Sequence, residues 1–251
     1  MVSATYRDAP FVEAVFEFAP TESTFTNDSL DHLVQKLEPG YTGRRDIQKT
    51  FAFGIEYSAG LVKPLRPPAP IDRHRRWNSD ESRLVQYSAD LCVFNALPAY
   101  THFVDYLPAI EVLHRAYVEA CRPKGTKFLG QRYINKIVLP SLDASPEEYF
   151  SFYPPKLPQT RHPGFSLTIV TKDLIGDGSG SVTLRLLFQG EEQEKPVYFL
   201  EIYARTVDHP PYPFTWDAAL QWHKKAHEGI EEAFETALTS KCKSMLGLQP
   251  Q

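Results

Sequence analysis

The sequence predicts an α+β protein in which two similar halves, each running strand, helix, strands, helix, form a curved, mainly antiparallel sheet with long helices packed on one face. Three observations predict this class: extended segments with apolar side chains at alternate positions, two long segments with apolar residues at helical spacing, and the same order of elements before and after residue 123. Consecutive strands favour antiparallel pairing, and each long helix needs a sheet face on which to bury its apolar stripe. We therefore expect an N-terminal half at 1–123 and a C-terminal half at 124–251, joined in one integrated domain.

The N-terminal half opens with FVEAVFEF, in which alternate apolar side chains define one face of a strand. Leucines and a valine at helical intervals then predict a helix that ends at the Pro-Gly of EPGY. Apolar residues at helical spacing also predict a longer helix before Arg122-Pro123. In chain order this half comprises a strand at 11–18, a helix at 27–38, strands within 46–60 and 82–97, and a helix at 100–121.

The C-terminal half repeats that order. A long strand at 127–140 is followed by a short helix at 145–153 that begins with a serine cap. Three strands come next, and GDGSG between the first two of them is typical of a hairpin turn. The predicted elements after the short helix are strands at 165–174, 180–188 and 197–206 and a helix at 214–246.

The strand FLGQRYINKIVLP carries polar side chains on both faces. If the first strands of the two halves pair antiparallel at the centre, Glu13 lies opposite Lys136 and Glu17 opposite Arg132. Such cross-strand ion pairs contribute roughly 0.2 to 1 kcal/mol each and would fasten the halves together. The functional alternative is a groove for an anionic ligand or an acidic partner, lined by Glu13, Glu17, Arg132, Tyr133, Asn135 and Lys136.

A second candidate site is the basic and aromatic segment DRHRRWN, which follows the proline-rich KPLRPPAP and is predicted to be a mobile loop. Arginines beside an aromatic ring can hold phosphates and stack on a base, which favours nucleic acid or a nucleotide. A solvated loop or a protein-contact loop is the alternative. The residues of this segment are Arg73, His74, Arg75, Arg76 and Trp77.

Other sequence features reduce the number of possible functions. His223 and His227 have the spacing of a metal-binding pair, but no third ligand is identifiable and both lie on an apolar stripe, so we expect core or interface histidines and neither a metal nor a cofactor. The net charge of −4 argues against a generally basic, nucleic-acid-coating surface. Three cysteines without paired spacing favour free thiols and a cytoplasmic location, and no segment reaches the length of a membrane span.

Three blocks of the sequence, YRDAPFVEAVFEF, LVQYSADLCVFNAL and GQRYINKIVLP, resemble the signature blocks of a sporadically distributed bacterial family of unknown function. Lys136 stands where that family more typically has arginine, which keeps the cation but gives up planar two-pronged hydrogen bonding. The resemblance implies a scattered distribution, consistent with mobile or phage-defence gene neighbourhoods or a toxin-antitoxin-like system. It implies no established reaction and no catalytic residues.

Three functions are therefore open. The first is a non-enzymatic protein-binding accessory module whose partner is encoded nearby. The second is a component that binds nucleic acid or a nucleotide through the basic segment. The third is an enzyme with an unrecognised site on the central strands, although the sequence carries no familiar catalytic motif.

Overall fold

The computed structural model describes residues 6–50, 55–58, 61–64, 71–97, 102–153, 166–172, 180–210 and 212–248. Its strands are β1 (Phe11–Pro20), β2 (Arg45–Thr50), β3 (Ile55–Ser58), β4 (Leu61–Pro64), β5 (Ile71–Trp77), β6 (Arg83–Tyr87), β7 (Cys92–Ala96), β8 (Thr126–Val138), β9 (Ser166–Lys172), β10 (Gly180–Glu192) and β11 (Lys195–Thr206). Its helices are α1 (Asn27–Leu37), α2 (Phe103–Cys121), α3 (Trp216–Ala237), α4 (Ser240–Met245) and a 3-10 turn at Pro146–Glu148.

Nine of these strands form one curved, open sheet in the order β2-β5-β6-β7-β1-β8-β11-β10-β9, and all neighbours are antiparallel. The strands β3 and β4 form a separate two-stranded hairpin. The predicted α+β class and antiparallel sheet are confirmed. So is the prediction that β1 and β8 pair antiparallel at the centre.

The two sides of the sheet differ in what covers them. Phe16 and Phe18 of β1 contact His223 of α3, and Phe18 also contacts His114 of α2. Alternation along the strands places apolar residues of β7, β8, β10 and β11 on this same side, where most are fully buried. We call this the helix side and the opposite one the outer side.

The C-terminal segment predicted as one helix at 214–246 consists of two helices. Leu238 adopts an extended conformation and forms a bridge with Phe150, so the helix cannot continue through it. Thr239 then caps α4 by accepting a hydrogen bond from the Cys242 backbone N–H at 3.3 Å. The break between α3 and α4 depends on this tertiary contact, and the apolar periodicity of the sequence gives no sign of it.

The prediction of a mobile loop for the basic segment is wrong, because β5 pairs with both β2 and β6 over this segment. The predicted GDGSG turn falls almost entirely on residues outside the described ranges, and only its last glycine begins β10. The three cysteines are free, as predicted, and the structure shows that all three are buried. Within the described ranges, no helix has the length and apolar character needed to cross a membrane.

Candidate functional site on the outer side of the sheet

The central charged residues pair in a register that differs from the prediction. Glu13 lies opposite Ile134 and Glu17 opposite Gly130, so the partners are two residues away from those expected. The diagonal ion pair between Glu17 and Arg132 still forms, at 3.6 Å. The predicted pair between Glu13 and Lys136 does not, because Lys136 instead binds Glu192 at 2.6 Å.

Arg132 is the centre of a part-buried cluster on the outer side. Its guanidinium lies 3.6 Å from a carboxylate oxygen of both Glu17 and Glu201, and 4.8 Å from the ring centroid of Tyr203. Tyr203 donates its hydroxyl hydrogen to Glu17 at 2.7 Å. Burial, reinforced by the Glu17 carboxylate, raises the pKa of Tyr203 well above its usual range, so the hydroxyl remains a donor.

A glycine makes this cluster possible. A Cβ atom at Gly130 would lie 2.5 Å from Glu17 Oε2 and 2.9 Å from the Tyr203 hydroxyl oxygen. Both contacts are shorter than van der Waals packing allows, so a larger residue would separate the carboxylate from the tyrosine. The glycine of the FLGQRYIN block therefore has a packing role on the outer side.

Glu13 belongs to a separate polar chain that runs towards β6. It accepts a hydrogen bond from Asn95 Nδ2 at 2.6 Å, and Asn95 Oδ1 in turn accepts from Gln86 Nε2 at 2.9 Å. Asn95 is only 4% exposed, so these bonds satisfy an amide that would otherwise be costly to bury. The Glu13 carboxylate is thereby held by the neutral amide of Asn95, and no cation of the described residues forms an ion pair with it.

A pocket of about 330 Å³ opens between these groups and strand β10. Two irregularities of strand pairing adjoin it: β1 shifts register at Val12, and β10 shifts at Gln189, next to Gly190 with a φ of 123°. Such bulges re-aim side chains and are frequent near functional sites. The pocket has a mainly apolar floor and a charged rim, and is lined by Val12, Glu13, Ile134, Arg185, Leu187, Gln189, Phe199 and Glu201.

Tyr133 and Asn135 lie on the helix side, so the six residues predicted to line one groove do not share it. Gln131 Nε2 donates to the Tyr133 hydroxyl at 3.1 Å, and that hydroxyl lies 2.9 Å from His227 Nδ1. The same glutamine accepts from His223 Nδ1 at 2.9 Å through its amide oxygen. Asn135 is buried and donates to the Leu200 carbonyl at 3.3 Å. These contacts fasten α3 and β11 to the central strand.

The two histidines at metal-pair spacing are part of this packing. His223 is buried against Phe16 and Phe18, while His227 stacks on Phe103 with ring centroids 4.4 Å apart. Among the described residues there is no group of three or more histidine, cysteine, aspartate or glutamate side chains that could hold a metal ion. The expectation of packed rather than exposed histidines is confirmed for His223.

The basic segment is divided between the two sides of the sheet. Arg73, Arg75 and Trp77 face the outer side, where Arg75 forms a two-pronged pair with Asp46 at 2.5 and 2.8 Å. Trp77 is 4% exposed, and the guanidinium groups of Arg44 and Arg75 lie 3.8 and 5.3 Å from its ring centroid. Its ring therefore offers little free surface on which a base could stack. His74 and Arg76 face the helix side, against Tyr87.

Sequence reasoning missed the residues that β10 and β11 contribute to the outer side. Glu201 and Tyr203 alternate with core residues in VYFLEIYART, so their shared face was readable from the sequence. Their position beside Arg132 was not, because it requires β11 to be the neighbour of β8, and the order of elements does not determine that neighbour.

No protein-family model and no curated protein matches this chain.

Proposed function

We propose that this chain is a non-enzymatic protein-binding module that takes a segment of a partner protein into the outer-side pocket. The observation that carries the proposal is the pocket itself, with an apolar floor surrounded by charged and amide groups at the centre of the sheet. Concave sites of this composition are where proteins bind ligands or side chains of partners. Two carboxylates of the pocket are held in place by neighbours, Glu201 by Arg132 at 3.6 Å and Glu13 by Asn95 at 2.6 Å, and such fixed groups suit recognition.

The charges on the rim favour a basic group on the partner. Glu13 and Glu201 both lie opposite Ile134, on the strands to its two sides. Two strand spacings put their Cα atoms about 10 Å apart, which leaves room between the carboxylates for an ammonium or guanidinium group. Arg185 also lines the pocket, but its Nε donates to Ser166 of β9 at 3.1 Å, on the side of β10 away from Glu13. The occupant is therefore a lysine or arginine side chain whose aliphatic stem lies on the apolar floor.

The resemblance of the signature blocks supports a setting in a mobile, phage-defence or toxin-antitoxin-like system, with the partner encoded nearby. We further propose that the two halves are related by internal duplication and that the long helices pack on one face. Strand order supports this, since β1 is followed outward by β7, β6 and β5, and β8 by β11, β10 and β9. The contacts of Phe18 with both His114 and His223 support a common face for α2 and α3.

The test is affinity purification of the tagged chain from its native host at moderate salt, with nuclease treatment and mass spectrometry. Leu187→Arg places a cation on the pocket floor and should abolish recovery of a stoichiometric partner. Val112→Arg makes the same change at a 53% exposed position on α2 and serves as the matched control. Equal recovery with both variants would refute the pocket as the binding site. Recovery of nucleic acid in place of protein would refute the protein-binding function.

A further inference from the structure

Arg76 is a buried cation without a counter-ion among the described residues. It is 7% exposed, its Nε donates to the Tyr87 hydroxyl at 3.0 Å, and its Nη1 is buried without a hydrogen-bond partner. No carboxylate of the described residues lies within 4.0 Å of it. A guanidinium does not lose its proton at physiological pH, so its burial without an anion is costly.

The neighbouring strands add positive charge around Arg76. Arg45 lies directly opposite it on β2, and Arg83 lies on the same side of β6. Among the ion pairs of these three arginines within the described ranges, one carboxylate appears, that of Glu38, which binds Arg45 at 3.0 Å. Three cations and one carboxylate leave a local charge of about +2, and like charges directly opposite one another destabilise a sheet.

Hydroxyl groups supply further donors at this place. Tyr41 is 5% exposed, and its hydroxyl is buried without a hydrogen-bond partner. The backbone N–H of Gly43 donates to the Trp77 carbonyl at 2.9 Å, which brings the segment that follows Tyr41 beside the end of β5 that carries Arg76. The Tyr87 hydroxyl accepts from Arg76, so its own hydrogen is available for another acceptor. Arg45 is 49% exposed in its side chain and lies on the edge strand β2, which gives access from solvent.

Arg75 and Arg76, neighbours in β5, differ in whether a carboxylate balances their charge. Arg75 faces the outer side and has its charge neutralised by the two-pronged pair with Asp46. Arg76 has the same side chain one position further along, and no acidic partner in the part of the chain that the structure describes. An anion bound on the helix side would balance the charge of Arg76.

We propose that the cluster of Arg45, Arg76, Arg83, Tyr41 and Tyr87 binds a phosphate group. A phosphate monoester carries a charge of about −1.5 to −2, which matches the local excess, and two of its oxygens can accept the two parallel N–H bonds of a guanidinium. A single carboxylate would leave about half of the positive charge unbalanced. This site lies on the helix side near the β2 edge and is independent of the outer-side pocket.

The test uses thermal denaturation and titration calorimetry of the full chain at constant ionic strength, with inorganic phosphate, adenosine monophosphate and O-phosphoserine as probes against chloride. The three probes separate free phosphate, a nucleotide and a phosphorylated side chain as sources of the same group. We expect at least one probe to bind and to raise Tm in the wild type and in Arg75→Gln, the matched control. Binding should weaken about tenfold or more in Arg76→Gln, because a hydrogen bond to a charged group is lost.

Two results would overturn the proposal: no probe raises Tm of the wild type beyond chloride, or Arg76→Gln binds the probes as well as Arg75→Gln does. Phosphate also stabilises folded proteins in general because it is excluded from their surface. This effect raises the Tm of all variants alike and cancels in the comparison. If Arg76→Gln does not fold, the part-exposed Arg83→Gln takes its place, with the same expectation.

Discussion

Two buried histidines should make this protein lose stability between pH 7 and pH 5. His114 and His223 are each 1% exposed, and both lie against Phe18. Burial lowers the pKa of His114 to about 4, with a smaller effect from Arg115, and lowers the pKa of His223 to about 3, with a smaller effect from His114. Both are therefore neutral in the folded protein at pH 5, whereas an unfolded chain protonates them below about pH 6.5.

Whether stability rises or falls with pH depends on which state, folded or unfolded, binds more protons. Below pH 6.5 the unfolded chain binds more protons than the folded one, so the free energy of unfolding falls as the pH falls, until the folded pKa is reached. At pH 5 the solution lies about 1.5 pH units below the unfolded pKa, so each histidine lowers the free energy of unfolding by about 2 kcal/mol between pH 7 and pH 5, and the pair by about 4 kcal/mol. Burial also lowers the pKa of His74, which acts in the same direction. A domain stable by about 5 to 15 kcal/mol would lose a large share of that stability.

The variant His114→Phe separates this effect from general acid sensitivity. Both ring nitrogens of His114 are buried without hydrogen-bond partners, and the ring stacks on Phe214 at 5.1 Å. Phenylalanine keeps the aromatic packing and removes the titration, so stability at pH 7 should change by less than about 1.5 kcal/mol. The loss between pH 7 and pH 5 should fall from about 4 to about 2 kcal/mol.

The assay is urea denaturation at pH 7, 6 and 5. A constant m-value checks that unfolding exposes the same surface area at each pH. His102→Gln, at an exposed histidine, is the control and should leave the pH dependence as it is in the wild type. If His114→Phe shows the same loss of stability as the wild type, the buried histidine is not the cause, and the reasoning from burial is refuted.

Three further substitutions test the packing of the central strand and one helix cap by the same denaturation assay. Gly130→Ala should cost about 1 to 3 kcal/mol, because its Cβ would lie 2.5 Å from Glu17 Oε2; a neutral effect would contradict the close packing. Tyr133→Phe removes the hydroxyl that contacts His227 at 2.9 Å and should cost about 1 to 2 kcal/mol, whereas an unchanged urea midpoint would show that this bond contributes nothing. Thr26→Ala removes the α1 cap and should cost about 1 kcal/mol, against a few tenths if the cap is not formed in solution.

The alternation in FVEAVFEF predicted one apolar face of β1, and the sequence predicted that β1 pairs with β8, but it did not predict the register of that pairing. Moving β8 by two residues along β1 leaves every side chain on the same face, so the apolar pattern is equally satisfied in both registers. Both the pairing of Glu17 with Arg132 on the diagonal and the absence of a Glu13 pair with Lys136 follow from that shift. The register irregularity at Val12, which helps to shape the pocket, likewise has no local signal in FVEAVFEF.

The basic segment shows a second limit. Neither alternate set of residues in DRHRRW is apolar, so the segment lacks the signal by which strands are recognised. Its burial comes from neighbours supplied by other strands, Asp46 for Arg75 and Tyr87 for Arg76. The lack of an apolar face and the preceding prolines therefore predicted a loop, whereas tertiary packing stabilises the segment as strand β5. The same reason explains why Trp77, expected on an exposed loop, is buried.

The most direct test of the proposed function is site-specific photo-crosslinking in the native host. A photoreactive phenylalanine analogue replaces Gln189 at the pocket in one variant and Val112 on α2 in another; both side chains are exposed. A partner seated in the pocket predicts a discrete cross-linked protein from position 189, with the attachment beside a lysine or arginine of the partner, and none from position 112. No adduct at position 189, or the same adducts at both positions, would contradict the account.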